Sequence, residues 1–81
     1  MIKKLYAVYD KQAKSTQPIY EQANDLVAIR DFSMLCQNEK VDMIRKFPDD
    51  YCLMCLGEID TDNGIIVSNP KTIAEAKEYV A

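Results

Sequence analysis

The segment from residue 51 to residue 71 constrains the fold more than any other part of the chain. An apolar run, Tyr51 to Ile59, is followed by Asn63 and Gly64 and then by a β-branched run that starts at Ile65. Asn-Gly between two such runs is a strong hairpin signal, because both residues tolerate positive φ angles. The segment therefore predicts two adjacent antiparallel strands.

The first strand of this hairpin, Tyr51 to Ile59, is apolar on both faces. Such a strand is typical of the centre of a sheet that is covered on both sides. The alternating side chains are Tyr51, Leu53 and Cys55 on one face and Cys52, Met54 and Leu56 on the other.

Further elements follow from local patterns. Ile2 to Tyr9 reads as a strand, and Pro18 to Glu21 as a short strand returning from a polar loop. Asn24 is a helix cap, and the apolar spacing after it predicts a helix near 24–37. Residues 37–50 read as a loop with at most one helical turn at 41–46. The apolar stripe of the predicted helix consists of Ala28, Ile29, Phe32, Leu35 and Cys36.

Asn69-Pro70 reads as the start of a last helix near 70–80, with Thr72-x-x-Glu75 as a competing capping box. The expected fold is α+β, a mostly antiparallel sheet with two helices in ββαββα-like order. We expect a single domain over 1–81. A chain of this size buries on folding roughly 60% of the surface that its unfolded form exposes. If both helices lie on one face, the other face needs cover, which predicts a homodimer or a bound partner.

Signals for catalysis or metal binding are weak. The chain has no histidine, the commonest general base and metal ligand. Cys52 and Cys55 satisfy C-x-x-C but point to opposite faces of a strand, so we interpret them as core residues. The acidic residues around Asp60 and Asp62 lack calcium-loop spacing and read as turn formers. We expect no enzymatic activity, no metal and no cofactor.

Charge is unevenly distributed along the chain. The first 14 residues carry +3, although the whole chain carries −3. A basic amino-terminal segment could bind along a polyanion. Lysines at a strand edge are also commonly present only to keep the protein soluble and to prevent aggregation. The amino-terminal segment lacks the pattern of a signal peptide and no apolar run is long enough to span a membrane, so we expect a cytoplasmic protein without membrane contact. The basic residues are Lys3, Lys4, Lys11 and Lys14.

Three segments together resemble a known family. They are KLYAVYDKQAKSTQPIYEQ, NDLVAIRDF and YCLMCLGEIDTDNGIIV. The strand ending in Tyr-Asp, the N-D-x-x-A-I-R-x-F helix and the L-G-E-[FI]-D turn resemble the small nonstructural protein of gokushovirus-type microviruses, which are single-stranded DNA bacteriophages. Ile59 stands where an aromatic residue is common in that family, and Asn63-Gly64 where Thr-Gly is common.

This resemblance implies a DNA-binding protein that assists viral single-stranded DNA synthesis in the cytoplasm of the infected bacterium. It defines no site residues, so physical reasoning supplies them. We predict that Lys3, Lys4, Lys11 and Lys14 contact phosphates and that Tyr6 stacks on a base, with ordinary sheet packing as the alternative for Tyr6. The competing interpretation is a protein-interaction module that docks on host or phage replication or packaging machinery without DNA contact.

Overall fold

The computed structural model describes residues 1–80 as an antiparallel sheet of five strands with two helices. The strand order is β2-β1-β4-β5, and β3 pairs with β1 beside β2. The α+β class and the antiparallel sheet are therefore confirmed. The elements are β1 (Ile2–Asp10), β2 (Ser15–Thr16), β3 (Tyr20–Gln22), α1 (Asp25–Cys36), α2 (Asp42–Lys46), β4 (Tyr51–Asp60) and β5 (Ile65–Glu75), with 3-10 turns at Pro48–Asp50 and Ala76–Glu78.

The predicted central strand is confirmed, because β4 pairs with β1 on one side and with β5 on the other. The predicted hairpin also forms, but with a four-residue loop at positions 61–64. Gly64 alone of the two turn residues has a positive φ, 71°, and its N–H donates to the Asp60 carbonyl at 2.7 Å. The Asp60 carboxylate accepts from the Asp62 N–H and from the Asn63 amide, which confirms that this acidic cluster serves the turn.

Helix α1 begins as predicted. The Asn24 side chain accepts the Val27 N–H at 3.0 Å, which satisfies one of the free amides of the first turn. Ala28, Phe32 and Cys36 are buried against the sheet. The core lies between this helix, α2 and one sheet face that carries Tyr6, Val8, Tyr51, Leu53, Cys55 and Ala74.

The helix predicted near 70–80 is wrong. Residues 65–75 continue as β5, because the edge of β4 offers backbone partners as far as the Cys52 to Glu75 pair. Pro70 lies at a register shift between the Cys55–Lys71 and Gly57–Ser68 pairs, where a missing N–H is tolerated. The second helix is α2, at the position where the sequence allowed one helical turn.

Candidate nucleic-acid interface

The four lysines that were predicted to contact phosphates lie at the two ends of strand β1. Lys3 and Lys4 are successive residues near its start and therefore point to opposite faces. Lys11 and Lys14 follow its other end. At about 3.3 Å per residue, Lys4 and Lys11 lie roughly 23 Å apart along the strand. The structure therefore does not assemble these lysines into one patch.

Three of these lysines are paired with carboxylates. Exposed ion pairs are worth at most about 1 kcal/mol, yet each reduces the positive field available to a phosphate. The hydrogen bond to Glu75 also raises the pKa of Lys11. Lys14 is exposed and forms no ion pair within residues 1–80. The pairs join Lys3 Nζ to Glu21 Oε1 at 3.1 Å, Lys4 Nζ to Asp25 Oδ1 at 3.6 Å, and Lys11 Nζ to Glu75 Oε2 at 2.7 Å.

The stacking role predicted for Tyr6 is wrong, because its side chain is 0% exposed. Its hydroxyl donates to Asp25 Oδ1 at 2.6 Å, and its ring lies 6.1 Å from the ring of Tyr20. Burial and the neighbouring carboxylate both raise the pKa of Tyr6. The ring packs in the core between the sheet and α1, which was the alternative that the sequence left open.

Replacing Tyr6 by Phe should lower the free energy of unfolding by about 1–2 kcal/mol near pH 7, because Asp25 loses a charge-assisted hydrogen bond. That bond, with Lys4, lowers the pKa of Asp25 in the folded state. A lowered pKa contributes stability above the unfolded pKa of about 3.9 that is lost as the pH falls through the folded value.

Urea unfolding at neutral and strongly acidic pH measures this effect. The difference between wild type and Tyr6→Phe should be largest at neutral pH and should shrink once Asp25 is protonated. A difference of the same size at both pH values would show that the hydroxyl does not act through the Asp25 carboxylate.

An apolar groove that the sequence did not predict lies at the opposite end of the sheet from Lys3 and Lys4. Its volume is about 280 Å³. Met43 is largely exposed at the groove, whereas Tyr51 and Ile44 are buried beneath it. The groove is lined by Val8, Gln17, Leu35, Val41, Met43, Ile44 and Tyr51.

Three basic residues in and before α2 are sequence neighbours of residues that line this groove. Arg45 and Lys46 occupy the last turn of the helix, directly after the groove residues Met43 and Ile44. Lys40 precedes the groove residue Val41. All three cations are exposed and form no ion pair within the described residues 1–80. The sequence signal for these cations is the doublet Arg45-Lys46 after the apolar pair Met43-Ile44, in the segment that the sequence predicts as a loop with at most one helical turn.

The cysteines occupy core positions. Cys36, Cys52 and Cys55 are buried free thiols, and burial raises the pKa of Cys36 to about 11. Cys55 belongs to the core under α1, whereas Cys52 Sγ lies 4.0 Å from Thr72 Oγ1. Among residues 1–80, no group of three or more acidic or cysteine side chains is placed to hold a metal ion. Within the same range, no helix has the length and apolar character to cross a membrane.

These features define a small α+β protein with an antiparallel sheet, an apolar groove, and exposed cations next in sequence to residues that line the groove. The chain belongs to the Phage ORF5 protein family, whose model matches residues 3–79. No curated protein and no solved structure matches the chain. Family membership confirms the phage origin expected from the three sequence segments.

Proposed function

We propose that this phage protein is the small nonstructural protein of a gokushovirus-type microvirus and acts without catalysis. In this proposal it binds single-stranded DNA and assists viral single-stranded DNA synthesis in the cytoplasm of the infected bacterium. Membership of the phage family and the resemblance of the three segments support this role. The observation that carries it is an exposed apolar groove whose lining residues Val41, Met43 and Ile44 stand next in sequence to the unpaired cations Lys40, Arg45 and Lys46.

The proposed mechanism divides the work between charge and apolar contact. Lys40, Arg45 and Lys46 would hold phosphates, while a base would lie on the apolar surface of the groove around Met43. Lys14, in the turn that leads toward the groove residue Gln17, would add a fourth phosphate contact. Phosphate and apolar contacts do not read base edges, so binding should tolerate changes of DNA sequence.

The net charge sets the strength of this binding. The whole chain carries −3, which opposes the binding of DNA. Four phosphate contacts give a slope of log affinity against log salt of about −3, at about −0.7 per contact for single strands. We therefore expect modest affinity that weakens steeply with salt.

Fluorescence anisotropy with a labelled single-stranded oligonucleotide at several salt concentrations tests the proposed groove. The double variant Arg45→Ala, Lys46→Ala should reduce the salt slope by about 1.4, because two phosphate contacts are lost. The matched control Lys3→Ala, Lys4→Ala removes the same charge from side chains that already pair with carboxylates, and it should change the slope by much less.

A larger change of the salt slope in Lys3→Ala, Lys4→Ala than in Arg45→Ala, Lys46→Ala would instead place the DNA-binding site at the start of β1. Absence of binding even at low salt would reject the DNA-binding role altogether.

A second candidate function is a protein-interaction module that docks on host or phage replication or packaging machinery. Exposed apolar side chains on β5, Ile65, Ile66 and Val67, favour it. Purified phage replication and packaging proteins would then bind the chain in calorimetry without DNA. A Val67→Lys variant should abolish this binding, and unchanged binding would exclude β5 as the docking surface.

A further inference from the structure

Strand β5 forms one outer edge of the sheet, since its only strand partner within residues 1–80 is β4. Its residues 65–72 are exposed on both faces. Ile65, Ile66 and Val67 are 58%, 62% and 61% exposed. Three consecutive, largely exposed β-branched residues on a free strand edge form a surface that favours pairing with another strand.

The usual protection of a free edge is missing from this apolar triplet. Proteins blunt such edges with charged residues, prolines or short strands. Residues 63–69 contain no charged side chain and no proline. Protective residues occur only outside this stretch, as Asp62 on one side and Pro70 with Lys71 on the other.

We propose that a second copy of this chain covers the edge, by antiparallel pairing of β5 with β5 around a two-fold axis at Ile66. In an antiparallel pair, two residues that lie opposite each other both point their backbone N–H and C=O groups either toward the partner strand or away from it. A two-fold axis between two identical strands must therefore lie where a residue is opposite the same residue of the second copy. With Ile66 on the axis, Ile65 lies opposite Val67 of the second copy. Every side chain of the apolar triplet then faces another apolar side chain.

The paired stretch ends before the proline. Pro70 lies beyond Ser68, at the register shift between the Gly57–Ser68 and Cys55–Lys71 pairs. It is therefore outside the paired residues, where its missing N–H disrupts no ladder bond.

Strand β4 would extend the apolar contact on one face. Ile66 pairs with Ile59 of β4, so two Ile59 side chains flank the Ile66 pair on that face. On the other face Ile65 and Val67 pair with the carboxylate residues Asp60 and Glu58 of β4. The groove borders Val8 and Tyr51 at the far end of the sheet, so dimerisation leaves the proposed DNA site open and does not depend on it.

Sedimentation equilibrium of the full chain tests the interface. We expect a dimer for wild type at high micromolar concentration. Ile66→Lys and Ile66→Glu should each be monomeric, because two like charges would meet on the axis, whereas a mixture of the two variants should recover a heterodimer. Met34→Lys, which alters an exposed apolar residue of α1, is the control and should remain dimeric.

Circular dichroism should show the wild-type fold in every variant, because Ile66 and Met34 are exposed. A monomeric wild type at high concentration would overturn the proposal and leave the edge to a different protein. A dimer that survives Ile66→Lys would place the contact elsewhere. Failure of the two charged variants to form a heterodimer would overturn the register with Ile66 on the axis.

Discussion

Replacing Gly57 by alanine should lower the free energy of unfolding by at least about 3 kcal/mol. Gly57 has a φ of +143°, a conformation that side chains rarely adopt and that stores roughly 1–3 kcal/mol of strain in other residues. An added Cβ would also collide with the backbone carbonyl oxygen of Val67. The β4–β5 ladder holds that oxygen in place, so relief requires local separation of β5 from β4.

Gly64→Ala is the matched control for this effect. Gly64 also has a positive φ, 71°, but an added Cβ meets no atom within 4 Å. The Gly64→Ala variant should lose only about 1–2 kcal/mol of the free energy of unfolding, because the backbone conformation is the only source of strain. Urea unfolding of both variants separates the two contributions, and equal losses would mean that the contact between Gly57 and Val67 is not tight.

Replacing Phe32 by alanine should lower the free energy of unfolding by about 3–5 kcal/mol, because a large buried side chain is lost and a cavity remains. Phe32 is 1% exposed and packs edge-to-face on Tyr79, with ring centroids 6.2 Å apart. It therefore joins α1 to the turn that follows β5. Part of the loss should appear as increased hydrogen exchange around Tyr79.

The control for Phe32→Ala is Met34→Ala, two residues further along the same helix. Met34 is exposed, so its truncation should change the free energy of unfolding by about 0.5 kcal/mol or less. Chemical unfolding of the two variants decides the orientation of α1. A larger loss at Met34 than at Phe32 would contradict the packing described above.

Strand β4 and helix α1 were predictable because their signals are local and redundant. Apolar side chains on both faces marked β4 as central, and the Asn24 cap and the apolar spacing of Phe32 and Cys36 agreed on one helix. Local signals failed at Asn69-Pro70. A cap is a weak preference of about 1 kcal/mol, and pairing along the edge of β4 overrode it.

The candidate site was harder to predict because its contacts are distant in sequence. Alternation along β1 placed Tyr6 on one face, but it did not show which face α1 would cover. Lys11 pairs with Glu75, 64 positions away, so its neutralisation had no local signal. The groove likewise combines Val8, Leu35, Met43 and Tyr51 from separate segments, and only the folded sheet brings them together.

The most direct test of the proposed function is an amide NMR titration of the isotopically labelled chain with a short single-stranded oligonucleotide. The proposal expects shifts concentrated at residues 40–46, at Gln17 and at Tyr51, which diminish as salt is added. It expects little change at residues 61–67 of the hairpin. Absence of shifts at low salt, or shifts confined to the start of β1 and to β5, would contradict binding through the groove.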